Sequence, residues 1–127
     1  MKYKMLHTCL RVKDLEKSLE FYTKALGLKE TRRKDFPEHE FTLVFLADEA
    51  ENHEIELTYN YNQEKPYTIG DGFSHMALSV EDLEASQRRH KEMGYEVTEL
   101  MGLPGSPPRY YFLTDPDGYE VEIIRRA

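Results

Sequence analysis

Four residues with metal-binding side chains stand out in this chain, because all four lie in stretches with the alternation of β-strands. They are two histidines and two glutamates: His7, Glu56, His75 and Glu122. Two neutral imidazoles and two carboxylates suit a borderline divalent ion such as Ni²⁺, Co²⁺, Zn²⁺ or Fe²⁺. Four protein ligands on an octahedral ion leave two positions open, which favours chemistry over a purely structural role. A carboxylate that can leave the metal and take a proton could also act as a general base.

The stretch that contains Glu56 is polar on one face in an unusual way. It runs from His53 to Asn60 with the sequence His-Glu-Ile-Glu-Leu-Thr-Tyr-Asn. With a period of two residues, one face of the strand is apolar, and the other is polar, formed by Glu54, Glu56, Thr58 and Asn60. Acidic residues are poor strand formers. Glu56 is therefore either a solvated residue or a residue that faces a polar cavity.

A second stretch near the C-terminus has the same design. Asp115-Pro-Asp-Gly118 is a turn sequence, and in the strand that follows, Glu120 and Glu122 alternate with Val121 and Ile123. Two strands with a carboxylate placed between apolar residues suggest an internal repeat.

The repeat can be tested by comparing positions at a fixed offset. At an offset of 68, seven of the twelve positions from 7 to 18 are identical in the second half, namely His7, Leu10, Val12, Asp14, Leu15, Glu16 and Ser18. The offset falls to 67 at Gly27 and Gly94, and to 66 at Glu56 and Glu122, as loops of slightly different length would cause. His7 is therefore related to Glu56 as His75 is related to Glu122.

Each candidate also has an ordinary structural explanation. A single strand histidine is more often structural than a ligand, and a strand glutamate usually faces water. The shared offset favours the metal site, because unrelated surface residues have no reason to follow the repeat of the core. We expect His39, His53 and His90 to be solvated and Cys9 to be a small packing residue. Arg11 is either a clamp for a substrate carboxylate or a surface ion-pair partner.

The elements that must position these residues form two similar modules of an α+β fold. The first module covers about residues 1–62, with strands at 6–12, 28–33, 41–46 and 53–60 and a helix that Asp14 caps and Gly27 ends. Leu6, Leu10 and Val12 are predicted to face the core. A linker rich in proline and glycine covers about residues 62–72.

The second module covers about residues 73–127 and repeats the order. Strands are predicted at 73–80, 95–100, 109–113 and 119–125, and Asp82 caps a helix that reaches about Met93. The chain of 127 residues is thus predicted to be one domain of two paired βαβββ modules, with the strands curled around a metal site.

The composition excludes several classes of protein. Charged residues make up 32% and hydrophobic residues 39%, as in globular proteins rather than disordered or membrane chains. The net charge is -7 and no basic stripe is present, so we expect no nucleic-acid partner. No signal peptide or membrane span is predicted. The single cysteine agrees with a reducing compartment, and we expect the protein in the cytoplasm.

Several motifs resemble those of a known superfamily. The paired modules, the Phe21-Tyr-Thr-Lys-Ala-Leu-Gly27 helix and the Asp115-Pro-Asp-Gly-Tyr119 turn are similar to the vicinal oxygen chelate superfamily. More narrowly, Glu56-Leu-Thr-Tyr-Asn60, together with His7, Arg11, His75 and Glu122, resembles the glyoxalase I family of lactoylglutathione lyases over nearly the whole chain.

The resemblance implies a reaction and roles for individual residues. Methylglyoxal and glutathione condense to a hemithioacetal, which such enzymes isomerise to S-lactoylglutathione. By this resemblance His7, Glu56, His75 and Glu122 are the metal ligands. Glu122 is the catalytic base, and Glu56 is its partner on the opposite substrate face. Arg11 and Asn60 would bind the glutathione part, with His75 also at the substrate.

The resemblance further implies a homodimer and a metal preference. In this family His7 and Glu56 of one chain would face His75 and Glu122 of the other. Compact members, and those with histidine as the first ligand, favour Ni²⁺ or Co²⁺ over Zn²⁺. The sequence departs from the family pattern at two places that bear on which thiol is bound. Asp71 stands where some members have arginine, and residues 101–108 lack the lysine that many members have there. Arg109 is the nearest substitute.

Two alternatives remain at this point. One is a different enzyme of the superfamily, a thiol transferase or an epimerase, although such transferases typically have three protein ligands. The other is a metal-free resistance protein that sequesters a small toxic ligand and needs no ligand set at these positions.

Overall fold

The computed structural model describes residues 1–126 and forms two compact units, Met1–Thr68 and a second that begins at Ile69. The first unit contains strands β1 (His7–Val12), β2 (Lys29–Phe36), β3 (Phe41–Ala47) and β4 (Glu54–Asn60). Helix α1 (Leu15–Glu20) continues as a π-helical turn (Phe21–Ala25), and a short 3-10 helix (Pro37–His39) follows β2.

The strands of the first unit form one mixed sheet in the order β1-β4-β3-β2. The first strand pairs with the last in parallel, while β3 is antiparallel to both of its neighbours. Asp14 caps α1 by accepting the backbone N–H of Lys17 at 3.1 Å, as its N-cap position predicts. The chain turns after the helical segment at Gly27, whose φ of +70° suits glycine.

The second unit contains β5 (His75–Val80), helix α2 (Leu83–Glu92), β6 (Tyr110–Thr114) and β7 (Glu120–Arg125). Its three-stranded sheet has the order β5-β7-β6, again with the first strand parallel to the last. Asp82 caps α2 through the backbone N–H of Ala85 at 3.0 Å. The two units are thus built on the same plan, and the predicted α+β class is confirmed.

The strand predicted at 95–100 is wrong. In its place the structure has isolated bridges from Val97 to Leu113 and from Met101 to Tyr110. The backbone N–H of Thr98 still donates to the carbonyl of Phe112 at 3.0 Å, but side chains replace the reciprocal bond and interrupt the ladder. The hydroxyl of Thr98 accepts the backbone N–H of Phe112 at 2.9 Å, and the carbonyl of Thr98 accepts from the side chain of Gln87 at 2.7 Å.

The core of the first unit follows the predicted alternation of β1, with one correction. Leu10 and Val12 are buried, and so are Phe21 and Tyr22 of the helical segment. Leu6, in contrast, is 65% exposed, because β1 begins only at His7. No helix among residues 1–126 has the length and apolar character required to cross a membrane.

Candidate functional site

The first module brings His7 and Glu56 together through the parallel pairing of β1 with β4. Cys9 lies opposite Glu56 in the register, so the glutamate stands two positions beyond His7 along the strand, on the same face. The imidazole Nε2 of His7 lies 3.8 Å from Oε1 of Glu56, with the side chains 38% and 14% exposed. The pair is thus formed at an edge strand and remains open to a ligand.

The second module forms the equivalent pair in the same register. Ala77 lies opposite Glu122, two positions beyond His75. Nε2 of His75 and Oε1 of Glu122 are 3.3 Å apart, and the side chains are 31% and 16% exposed. The offset in the sequence therefore corresponds to a repeated arrangement in space.

Both histidines pack against a phenylalanine that the sequence reasoning missed. The ring of His7 meets Phe45 edge to face at 5.7 Å between centroids, and the ring of His75 meets Phe112 in the same way at 5.2 Å. Each phenylalanine lies directly opposite the glutamate of its own module on the neighbouring antiparallel strand. The two phenylalanines are 67 residues apart, so the repeat offset was the signal that could have found them.

The donor spacing within each pair fits a shared metal ion. Donor atoms about 2.1 Å from one ion lie about 3.0 Å apart at a right angle and about 3.4 Å apart at a tetrahedral angle. The 3.3 Å of the second pair falls in this range, and the 3.8 Å of the first pair is slightly wider. Within residues 1–126 no three or more histidine, cysteine or acidic side chains are grouped so that they could hold a metal ion. Each module thus brings together two candidate ligands.

Cys9 lies beside the first pair without the features of a reactive thiol. Its Sγ is 3.2 Å from Oγ1 of Thr58, and partial burial is the main cause that raises the pKa of the thiol. Its repeat counterpart is Ala77. Cys9 is exposed, so the predicted packing role is wrong, because only Leu10 and Val12 of this strand are buried.

The polar face of β4 serves more than one purpose. Glu54 accepts hydrogen bonds from Thr31 and Arg32 on β2, and these bonds hold the pKa of its carboxyl below the ordinary value. Thr31 reaches it because β2 has a bulge between Glu30 and Arg32. The polar face therefore includes Glu54, which is hydrogen-bonded to β2, as well as Glu56, which pairs with His7.

The predicted substrate residues of the first module lie further along β1 and β4. Arg11 is exposed and lies opposite Thr58 in the register. Asn60 is the last residue of β4, and its amide donates to the hydroxyl of Tyr67 at 2.9 Å. Both positions are on the strands that form the His7–Glu56 pair.

A cavity of about 680 Å³ opens beside Glu122 in the second unit. Its wall is partly apolar and includes Leu103, Pro107, Pro108, Tyr110 and Ile124. A volume of this size is typical of small-molecule sites.

Three arginines line the same cavity, and they differ in their partners. Arg125 is paired with Glu84, and Arg126 with Glu81 at 3.2 Å. Within residues 1–126 no acidic group lies within ion-pair distance of the guanidinium of Arg109. From the sequence, Arg109 was identified only as the basic residue nearest to the loop at 101–108. In the structure its side chain lines the cavity.

The three remaining histidines have different environments. His39 is exposed, as predicted, and His53 is half-buried with its Nε2 3.0 Å from the hydroxyl of Thr8. The prediction for His90 is wrong, since it is only 2% exposed and its Nδ1 lies 2.7 Å from the hydroxyl of Tyr111. His90 lies seven residues after the buried Leu83, so the helical spacing could have placed it on the buried face.

Comparison with known proteins agrees with the observed fold. Residues 4–123 match the family model described as the Glyoxalase/Bleomycin resistance protein/Dioxygenase superfamily. A probable lactoylglutathione lyase of Synechocystis is 43% identical over 126 residues, which cover 97% of this chain and 95% of that protein.

Two solved structures give the same result. Glyoxalase I of Zea mays superposes with a TM-score of 0.89 at 38% identity, over 98% of this chain and 45% of that one. This chain thus spans about half of the maize enzyme. The trypanothione-dependent glyoxalase I of Leishmania major gives a TM-score of 0.83 at 35% identity, covering 98% of this chain and 87% of that one.

Proposed function

The chain belongs to the glyoxalase/bleomycin resistance protein/dioxygenase superfamily, and we propose that it is a lactoylglutathione lyase. The reaction is the isomerisation of the methylglyoxal–glutathione hemithioacetal to S-lactoylglutathione. The observation that supports this function best is the repeated histidine–glutamate pair. The two pairs offer four candidate ligands, two of them carboxylates, whereas the thiol transferases of the superfamily typically have three ligands and need only one carboxylate.

Four residues would hold the metal: His7, Glu56, His75 and Glu122. The ion proposed is Ni²⁺ or Co²⁺ in preference to Zn²⁺, by resemblance to the compact members of the family that have histidine as the first ligand. When bound, it supplies Lewis-acid stabilisation of the negative charge that develops on the substrate oxygens.

Glu122 moves the proton in the proposed reaction. Its carboxylate takes the proton from the hemithioacetal carbon and returns it to the neighbouring carbon, so the substrate is isomerised without an external oxidant or reductant. The position of Glu122 in the wall of the cavity gives it a path to a bound substrate. Glu56 holds the equivalent position for the opposite substrate face.

The thiol part of the substrate is held by cationic and amide side chains. Arg11 and Asn60 bind glutathione from the first module, and His75 contacts the substrate from the second. The partly apolar cavity beside Glu122 accepts part of the peptide, and Arg109 faces one of its carboxylates. Glutathione is an abundant cytosolic thiol, and the proposal places the protein in the cytoplasm.

The four ligands are completed by a second copy of the chain. The pair in each module accounts for half of the proposed set, and a homodimer would join the first pair of one protomer to the second pair of the other. The exposed apolar residues before β1, which include Met1, Tyr3, Met5 and Leu6, are of the kind that subunit contacts cover.

Replacement of Glu122 by glutamine tests the proposed reaction. With Ni²⁺ added, we expect kcat to fall at least about 100-fold, because an amide cannot accept the proton. Thioester formation from methylglyoxal and glutathione is the measurement. Glu120→Gln is the matched control, since Glu120 lies two residues earlier on the same strand and face, is exposed, and is not one of the proposed ligands.

Two results would overturn the proposal. One is an unchanged kcat for Glu122→Gln. The other is the absence of turnover by the wild-type protein with every metal and with glutathione, trypanothione and other cellular thiols. If the wild-type protein also binds no metal, the metal-free binding function replaces the enzyme.

A further inference from the structure

The two proposed histidine ligands differ in what holds their second ring nitrogen. The hydroxyl of Ser74 lies 2.7 Å from Nδ1 of His75, on the side of the ring away from Nε2, which faces Glu122 at 3.3 Å. In the first module the position equivalent to Ser74 is Leu6, which has no hydroxyl. His75 is therefore held by a hydrogen bond with the preceding residue, whereas Leu6 cannot form such a bond with His7.

The hydrogen bond matters because a neutral imidazole carries one proton on two nitrogens. A serine hydroxyl can either accept a proton from Nδ1 or donate one to it. If Nδ1–H donates to Ser74, the lone pair is on Nε2, where a metal can bind. If the serine donates, Nε2 carries the proton and is blocked. The hydrogen bond to one ring nitrogen thus determines whether the other can be a ligand.

We propose that Ser74 is a positioning residue that holds His75 as its Nδ1–H tautomer and so prepares Nε2 to bind the metal. The inference rests on the proposed function, since it assigns a role within the same metal site. Nε2 is the nitrogen that lies beside the carboxylate of Glu122, and in metal-free protein this carboxylate favours the competing Nε2–H tautomer. The hydrogen bond to Ser74 is therefore what must hold the proton on Nδ1. His7 has no equivalent support, which makes the two histidines unequal ligands.

Ser74 also suits this role because its loss leaves the fold intact. It is exposed and precedes β5, outside the sheet ladder. Phe112 packs against the His75 ring in any case, so the ring orientation is retained when the hydroxyl is removed. The hydroxyl therefore controls the proton position rather than the ring position.

Two measurements on Ser74→Ala test the inference. The first is the nitrogen chemical shifts of His75 in metal-free protein, at a pH about two units above the ordinary histidine pKa of about 6.5. We expect Nδ1–H in the wild type and a shift toward Nε2–H in the variant. The second is the affinity for Ni²⁺, measured by competition with a chelator, which we expect to fall about tenfold.

Ser74→Thr is the control. Threonine keeps the hydroxyl, so it should retain the wild-type tautomer and leave the Ni²⁺ affinity within about twofold, which a purely steric role of Ser74 would not predict.

The possible failures are distinguishable. If the wild-type protein binds Ni²⁺ and is active, but His75 carries its proton on Nε2 or Ser74→Ala changes neither measurement, the inference is wrong and the proposed function stands. If the wild-type protein binds no metal, the proposed function and the ligand role of His75 are both overturned.

Discussion

At the scale of single residues, Arg109 is the cavity arginine that we propose contacts the thiol substrate. Its guanidinium lines the cavity beside Glu122 and has no acidic partner among the residues described, whereas Arg125 and Arg126 in the same wall are both ion-paired. A guanidinium that is already ion-paired with a glutamate attracts a substrate carboxylate less strongly. Arg109 is therefore the arginine of this wall that is available to substrate.

Replacement of Arg109 by methionine should weaken substrate binding without changing the chemical step. We expect KM for the hemithioacetal to rise about tenfold and kcat to change little, because a hydrogen bond to a charged group contributes about 1.5–3 kcal/mol and this one acts equally on substrate and transition state. Steady-state kinetics with glutathione provide the measurement.

The control for this prediction comes from the same cavity. Arg126→Met removes a cation that Glu81 already engages, so KM should remain within about twofold. Glutathione amidated at either carboxylate identifies the group that Arg109 contacts, since the variant and the wild type should bind that analogue equally. An unchanged KM for Arg109→Met with unmodified glutathione would contradict the assignment.

At the scale of elements, the parallel pairing of first and last strands is what assembles each half of the site. It sets Cys9 opposite Glu56 and Ala77 opposite Glu122, and so brings each histidine within 4 Å of a glutamate nearly fifty residues away. The sequence offset contained this information, since it related the pairs before any coordinates were known. The fold class and the ligand pairing were predictable for this reason.

Other elements were not predictable because side chains replace backbone contacts. The stretch at 95–100 has the composition of a strand, yet the side chains of Thr98 and Gln87 replace part of the hydrogen bonding of its ladder. His90 appeared solvated beside its charged neighbours, but its hydrogen bond to Tyr111 allows it to be buried. In both cases the local structure depends on a hydrogen-bond partner distant in sequence, and the local sequence pattern does not identify that partner.

The tie between helix α2 and strand β7 should make stability depend on pH. Arg125 donates to Glu84, and these bonds hold the pKa of the Glu84 carboxyl below its ordinary value of 4.5. A carboxyl with a depressed folded pKa stabilises the protein fully above the unfolded pKa, and the contribution disappears as the pH falls through the folded pKa.

Replacement of Glu84 by glutamine should therefore lower the urea midpoint at neutral pH, and the difference from wild type should shrink as the pH falls from about 7 toward 3. Glu16→Gln is the matched control, because Glu16 is the repeat counterpart in the first turn of α1 and makes no ion pair among the residues described. If the urea midpoints of the variant and the wild type differed by the same amount at all pH values, the Glu84–Arg125 contact would not stabilise the protein electrostatically.

At the scale of the whole molecule, duplication explains why a short chain can present four ligands of two kinds. Each module contributes one histidine and one glutamate in the same register, so a single design, used twice, provides both halves of the proposed centre. Neither half suffices for an ion that takes four protein ligands. The proposed homodimer contains two copies of each half and therefore two complete centres.

Mixing two inactive variants tests this assembly. His7→Ala and His75→Ala each remove one ligand from every site of their own homodimer, so each variant alone should bind metal weakly and show little turnover. In a mixed dimer, the intact first pair of one chain faces the intact second pair of the other, and one of the two sites is complete. With equal amounts and random exchange, about a quarter of all sites should regain metal and activity. If each centre were formed within one chain, every chain would still lack a ligand, and mixing would restore nothing.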